Sequence, residues 1–165
     1  FKGGLRTLQA FNDIKHDFPN WKLTICGEGP ERPAIEEYIK LHQLEQNVLL
    51  KGKLSKAAYA DELKRSALLS FPSLHESFGL IPVEAIATGV PVVAVNTTAM
   101  PEYINEKNGK IISSGSVEDI AVGLKEMINN LHKYDGQQMS NNIKARFGME
   151  SFGVQLMKTY NACVE

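Results

Sequence analysis

The segment from residue 72 to residue 80, with the sequence PSLHESFGL, is a polar turn between an apolar run and a predicted helix. The helix is predicted from about Leu80 to Thr88, with Gly89 as its stop. Backbone N–H groups and the dipole at the start of such a helix favour an anion such as phosphate. Gly79 would let a ligand approach the backbone closely. The turn is therefore a candidate anion-binding site.

Two carboxylates and two lysines could complete that site. Glu76 lies in the turn, and Glu84 lies about one turn inside the helix. Because carboxylates repel phosphate, they are better suited to accept hydrogen bonds from sugar hydroxyls, including both hydroxyls of a cis-diol. Lys2 and Lys53 could supply positive charge for a diphosphate. The spacing also fits plainer roles: a solvated helix residue for Glu84, a dipole-complementing acid for Glu76, and a surface side chain for Lys2.

The fold that must position these residues is indicated by alternating strand and helix patterns. Apolar runs of strand length occur at 21–26, 48–50, 67–71, 90–95 and 109–112, and helical periods lie between and after them. The pattern predicts one α/β domain over residues 1–165, with a Rossmann-like doubly wound parallel sheet and helices on both faces. Such a domain normally begins with a strand, whereas this chain begins with a predicted helix. We therefore expect the first strand to be truncated.

Ligands of open α/β sheets bind beyond the carboxyl ends of the strands. Three segments of this chain are expected at the carboxyl ends of strands: Lys2-Gly3-Gly4, Gly27-Glu28-Gly29-Pro30, and the turn at 72–80. Gly27 and Gly29 also fit simple turn roles, since a full G-x-G-x-x-G pattern is absent.

Composition narrows the classes of function. The net charge is −1 without a basic excess, so we expect no nucleic-acid partner. No apolar run approaches the roughly 20 residues of a membrane span. Cys26 and Cys163 lie far apart and fit free thiols of a reducing cytoplasm. The four histidines are scattered, so no zinc site is expected.

The residues from Pro72 to Ala85 resemble the E-x7-E motif of retaining family-4 glycosyltransferases of the GT-B fold, with Glu76 and Glu84 as its two acids. Four further motifs occur in the order of that family. They are K-G at 2–3, I-x-G-x-G-P at 25–30, G-x-P-V-V-A at 89–94, and P-E followed by N-G within 101–109. The resemblance covers nearly the whole chain and identifies it as the C-terminal, nucleotide-sugar-binding half of such an enzyme.

The resemblance also implies roles for individual residues. Glu84 is similar to the acid that holds the ribose hydroxyls, Glu76 to the catalytic acid that contacts the donor sugar, and Lys2 to the lysine that binds the diphosphate. The other residues implied at the donor site are Gly27, Leu54, Ser77, Phe78, Gly79 and Leu80. The implied reaction transfers a glycosyl group from a nucleoside diphosphate sugar to an acceptor hydroxyl with retention. It implies no metal and no cofactor, because positive side chains and a helix N-terminus stabilise the leaving diphosphate.

Two departures from the family pattern are visible. The family's arginine ahead of K-G would precede Phe1, and the N-terminal acceptor-binding domain is absent from the chain. We expect this fragment alone to bind nucleotide weakly and to turn over little. The expected partners are the nucleotide-sugar donor and the N-terminal domain. The full-length enzyme is expected in the cytoplasm, with peripheral association at the inner membrane face left open.

Three alternative functions remain. An NDP-sugar 2-epimerase-like enzyme shares the fold but needs its own acid–base and anion-binding set. A non-catalytic nucleotide-sugar-binding domain would keep the fold without turnover. A glycosidase pair of carboxylates is disfavoured by the parallel sheet and the phosphate-type turn.

Overall fold

The computed structural model describes residues 2–164, so Phe1 and Glu165 of the predicted domain lie outside the described residues. The strands are β1 (Leu23–Cys26), β2 (Val48–Gly52), β3 (Leu69–Phe71), β4 (Val92–Val95) and β5 (Gly109–Ile112). The helices are α1 (Gly4–Ile14), α2 (Arg32–Leu41), α3 (Lys56–Arg65), α4 (Leu80–Ala87), α5 (Met100–Tyr103), α6 (Val117–Asn129), α7 (Gly136–Phe147) and α8 (Met149–Val164), with a 3-10 turn at Leu131–Lys133. None of the helices described is both long and apolar enough to cross a bilayer.

All described strands pair in parallel. Strand β1 pairs with β2, with Leu23 opposite Val48, and a second sheet has the order β3-β4-β5. The predicted α/β class with parallel strands is thus confirmed. The strands form two sheets rather than one hydrogen-bonded sheet, because β1 and β3 do not pair and a gap lies between them.

An open cleft of about 830 Å³ occupies that gap. Residues of β1 and β3 form its sides, and Thr7, Phe11 and Ile14 of α1 contribute to its lining. One additional parallel strand between β1 and β3 would join the two sheets. The truncated first strand stays a prediction.

Strand β4 shows why helices cover both faces. Val92 and Ala94 pack in a cluster with residues of α4 and α7. Val93 and Val95 pack in a second cluster with residues of α1 and α6. Because side chains alternate along a strand, a continuous apolar run must be covered on both sides. The predicted arrangement of helices is confirmed.

Local signals in the sequence also appear in the structure. The hydroxyl of Ser55 accepts a hydrogen bond from the N–H of Ala58, and that of Ser116 accepts one from the N–H of Asp119, so these two side chains cap α3 and α6. The strands β1, β3 and β4 begin two residues later than predicted, since apolar residues precede each ladder. The short α5 and the 3-10 turn were not predicted, because segments of three or four residues carry no helical period.

Candidate functional site

The predicted anion-binding turn lies at the carboxyl end of β3 and leads directly into α4. Gly79 is the N-cap of α4 and has a φ of 79°. A Cβ at this position would overlap Cε of Met100 and lie 2.9 Å from the hydroxyl oxygen of Tyr103. A side chain is therefore strained here by both conformation and space. Glycine lets the backbone turn into α4, whose first N–H groups have no acceptor within the helix.

Lys2 reaches this turn because α1 begins against it. Gly3, the N-cap of α1, has a φ of 85°, and a Cβ built on it would lie 2.8 Å from Cγ of Pro72. The ammonium of Lys2 forms an ion pair with Glu76 and lies 5.8 Å from the ring centroid of Phe71. The Lys2 side chain is 67% exposed, whereas that of Glu76 is only 13% exposed. The cation is thus accessible and the acid is held in place.

Glu76 is fixed through both its carboxylate and its backbone. The hydroxyl of Ser73, a buried residue, donates to Oε1 of Glu76 at 3.2 Å. The hydroxyl of Thr98 donates to the backbone carbonyl of Glu76. These contacts come from the turn itself and from the segment after β4. They hold Glu76 beside Lys2.

Glu84 lies farther along α4 and is exposed. Its charge acts on Tyr59 of α3: burial raises the pKa of the Tyr59 phenol to about 12, and the charges of Glu84 and Cys26 add to the effect. The hydroxyl of Tyr59 is buried without a hydrogen-bond partner among the described residues. Glu84 is therefore an accessible acceptor near a buried phenol, on the same helix that begins at the turn.

Three other predicted residues belong to the turn or to the start of α4. Ser77 is exposed, and Leu80, the first residue of α4, is 67% exposed. Phe78 is half-buried, and its ring centroid lies 5.4 Å from those of Tyr103 and Phe147. Phe78 therefore anchors the turn by packing, while Ser77 and Leu80 are exposed.

The two remaining predicted residues lie at the ends of β1 and β2. Gly27 follows β1 with a φ of 119°, and its N–H donates to the carbonyl of Gly52 at 2.7 Å. Leu54 lies between β2 and α3. Lys2 and Gly27 both line the cleft between the sheets, whereas Leu54, Glu76 and Glu84 are outside its described lining. The structure thus joins Lys2 and Glu76 directly and does not bring all predicted residues into one cavity.

Two residues that hold the turn were missed by sequence reasoning. The guanidinium of Arg6 donates to the carbonyl of Gly115 at 2.6 Å and to that of Pro72 at 3.0 Å. The hydroxyl of Tyr103 contacts the carbonyls of Phe78 and Gly79. Arg6 lies four residues after Lys2, and Tyr103 directly follows the P-E pair at 101–102, but neither placement indicates these contacts.

Within residues 2–164, no three His, Cys, Asp or Glu side chains are grouped so that they could hold a metal ion. Metal-independent chemistry remains a prediction.

Comparison with known proteins gives a consistent result. The family model described as "Glycosyl transferases group 1" matches residues 2–146. An uncharacterized glycosyltransferase of Haemophilus influenzae is 28% identical over 157 residues, which is 94% of this chain and 43% of that protein. The capsular polysaccharide biosynthesis glycosyltransferase CapM of Staphylococcus aureus is 27% identical over 165 residues, with 97% of this chain and 43% of that protein covered.

Solved structures show the same fold. The crystal structure of a mutant of S. aureus TarM, in a complex that contains UDP and alpha-GlcNAc-glycerol, superimposes with a TM-score of 0.81 and 25% identity. The match covers 98% of this chain and 33% of that one. The chain thus spans less than half the length of each of these proteins.

Proposed function

Because the chain belongs to the group 1 family of glycosyl transferases, we propose that it is the donor-binding part of a longer enzyme. That enzyme transfers a glycosyl group from a nucleoside diphosphate sugar to an acceptor hydroxyl and retains the anomeric configuration. The acceptor is bound mainly by a domain outside this chain. Two S. aureus proteins support this class of donor and product: CapM is named for capsular polysaccharide biosynthesis, and TarM was crystallised with UDP.

The observation that carries the proposal is the ion pair between Lys2 and Glu76 beside the start of α4. A cation, a carboxylate and open helix N–H groups are brought together from segments far apart in sequence. The cation and the N–H groups suit a diphosphate, and the carboxylate suits sugar hydroxyls. In a nucleoside diphosphate sugar, the diphosphate lies on one side of the glycosyl bond that breaks and the sugar hydroxyls lie on the other.

The same groups explain how transfer is promoted. When the glycosyl bond breaks, negative charge develops on the leaving diphosphate. Lys2 and the first N–H groups of α4 stabilise that charge, which is the main catalytic task in this reaction. Glu76 accepts hydrogen bonds from the donor sugar and fixes its orientation, while Glu84 accepts them from the ribose. No metal ion is required by this assignment, because the cationic side chain and the helix N-terminus supply the positive potential.

Titration calorimetry of the full-length protein with UDP, GDP and ADP tests the donor site. We expect one nucleotide to bind and its affinity to fall at least tenfold in Glu84→Ala, since a hydrogen bond to a charged group contributes about 1.5–3 kcal/mol. Glu37→Ala is the matched control, because Glu37 is also an exposed helical carboxylate but lies on α2. Absence of binding for all three nucleotides would overturn the proposal.

Product analysis separates the alternative functions. Incubation with the corresponding nucleotide sugar and an acceptor should release free nucleoside diphosphate and a glycoside. Epimerised sugar still attached to the nucleotide would indicate the 2-epimerase-like alternative, and binding without any product would indicate a non-catalytic domain.

We propose a cytoplasmic location for the enzyme. The two cysteines, Cys26 and Cys163, are free thiols, which fits a reducing compartment. Peripheral contact of the full-length enzyme with the inner membrane face would apply if its acceptor is lipid-linked.

A further inference from the structure

The hydroxyl of Tyr103 lies directly beneath the turn that enters α4. Tyr103 is the last residue of α5 and is only 2% exposed. Its hydroxyl oxygen lies 2.8 Å from the carbonyl oxygen of Phe78 and 3.0 Å from that of Gly79, as well as 3.1 Å from the sulfur of Met100. A residue 24 positions away thus contacts two consecutive peptide groups at the N-cap of α4.

Holding these two carbonyls also fixes two N–H groups. In a trans peptide, C=O and the following N–H point in opposite directions within one plane. A Phe78 carbonyl directed toward Tyr103 therefore directs the N–H of Gly79 away from it. The Gly79 carbonyl has the same effect on the N–H of Leu80. Both N–H groups belong to the helix start where the diphosphate is proposed to bind.

The packing contacts of Tyr103 are made by its ring and do not require its hydroxyl. The ring of Tyr103 packs against Phe78 at 5.4 Å and against Phe147 at 5.9 Å between centroids. Phenylalanine would preserve those ring contacts. A phenol has one proton to donate, and the carbonyls of Phe78 and Gly79 share it in a three-centre hydrogen bond at 2.8 and 3.0 Å.

The hydroxyl keeps its proton over the working range of an enzyme. Burial raises the pKa of the Tyr103 phenol to about 12, and the charge of Glu76 adds to the effect. It can therefore act as a donor at neutral pH.

We propose that Tyr103 is a positioning residue for the donor diphosphate: its hydroxyl acts through the Phe78–Gly79 backbone to hold the N–H groups of Gly79 and Leu80 toward the ligand. This inference rests on the donor-site function proposed above. Tyr103 thus increases the affinity of the protein for the phosphates of the donor and not its affinity for the nucleoside.

The test uses the full-length protein with Tyr103→Phe. Affinity is measured by calorimetry for the nucleoside diphosphate that binds in the first titration and for a matched nucleoside monophosphate lacking the second phosphate. We expect the diphosphate to lose about tenfold in affinity and the monophosphate to lose clearly less, so that the preference for the second phosphate shrinks. An unchanged preference, whether both affinities persist or both fall equally, would overturn the proposal.

Tyr134→Phe is the matched control. Tyr134 is half-buried and its hydroxyl contacts the sulfur of Met127 at 2.9 Å, in the packing of α6 away from the turn. The preference should be unchanged in this variant. If the wild-type protein binds no nucleoside diphosphate, the donor-site function itself fails. If it binds and Tyr103→Phe keeps the wild-type preference, only the role of Tyr103 fails.

Amide exchange gives a second measurement that does not depend on affinity. With the protein saturated by the nucleoside diphosphate, the N–H groups of Gly79 and Leu80 should exchange faster in Tyr103→Phe than in the wild type, while those of β4 remain protected as in the wild type. Wild-type exchange at both positions would contradict the proposal. Loss of protection in β4 as well would also contradict it, since the hydroxyl would then support the core as a whole.

Discussion

Lys2 and Glu76 form an ion pair across 74 positions of sequence, and this contact joins the start of α1 to the turn before α4. Glu76 neutralises the cation that is proposed to meet the diphosphate. A donor must therefore replace this contact when it binds, which predicts opposite effects of Glu76 on binding and on transfer.

Glu76→Gln should separate these two effects. The amide keeps the shape of the side chain but frees Lys2, so affinity for the nucleoside diphosphate should stay equal or increase. Transfer should slow by roughly 100-fold, the size of one lost stabilising contact in a transition state. Calorimetry and kcat measure the two quantities. Glu126→Gln is the control because Glu126 also pairs with a lysine, Lys110, and neither quantity should change there. A marked loss of affinity in Glu76→Gln would contradict the assignment.

Glu84→Ala should lose discrimination between ribose and 2′-deoxyribose. If Glu84 accepts hydrogen bonds from the ribose hydroxyls, the wild type should prefer the ribonucleotide over its 2′-deoxy form by about tenfold or more. In Glu84→Ala the ratio of the affinity for the ribonucleotide to that for its 2′-deoxy form should fall toward one. Competition binding of the two nucleotides measures the ratio. A preference that persists in Glu84→Ala would place the ribose elsewhere.

Arg6→Met should destabilise the fold. Arg6 donates to the carbonyls of Gly115 and Pro72, and methionine would leave both acceptors without that partner. We expect the free energy of unfolding to fall by about 1–3 kcal/mol, as measured by urea denaturation. Arg65→Met, at an exposed position near the end of α3, should change it by less than about 0.5 kcal/mol. Equal effects of the two substitutions would show that the carbonyl contacts contribute nothing.

Gly79→Ala and Gly153→Ala should change stability in opposite directions. The first places a methyl group against Met100 and the Tyr103 hydroxyl at a φ of 79°, so we expect a loss of about 1–3 kcal/mol. The second lies in α8, where a Cβ meets no atom within 4 Å, and alanine should add about 0.5–1 kcal/mol. Thermal unfolding of the two variants measures both. A Gly79→Ala protein as stable as the wild type would show that the turn tolerates a side chain.

The order of elements could be predicted because local signals and burial agree. The run from Val92 to Val95 is apolar at every position, and the structure buries it on both faces. The hydroxyls of Ser55 and Ser116 cap the starts of two helices, and each accepts a hydrogen bond from the N–H only three residues later. Signals of this range are contained in the sequence itself.

Contacts between distant segments could not be predicted in the same way. Nothing near Tyr103 in sequence indicates that its hydroxyl reaches Phe78, because that depends on how α5 packs beneath the turn. The separation of β1 from β3 likewise depends on which strands meet, since an apolar run does not specify its neighbour. For the site, the family motifs identified Glu76 and Lys2, but only the fold showed that they touch.

The long sequence separation between Lys2 and Glu76 also has a thermodynamic consequence. An unfolded chain does not hold these groups together, so a donor bound between them has affinity for the native state alone. Occupancy and melting temperature are then linked: a ligand at 100 times its Kd adds about 2.7 kcal/mol to the stability. A rise in melting temperature across a panel of nucleotide sugars would therefore rank candidate donors without any knowledge of the acceptor.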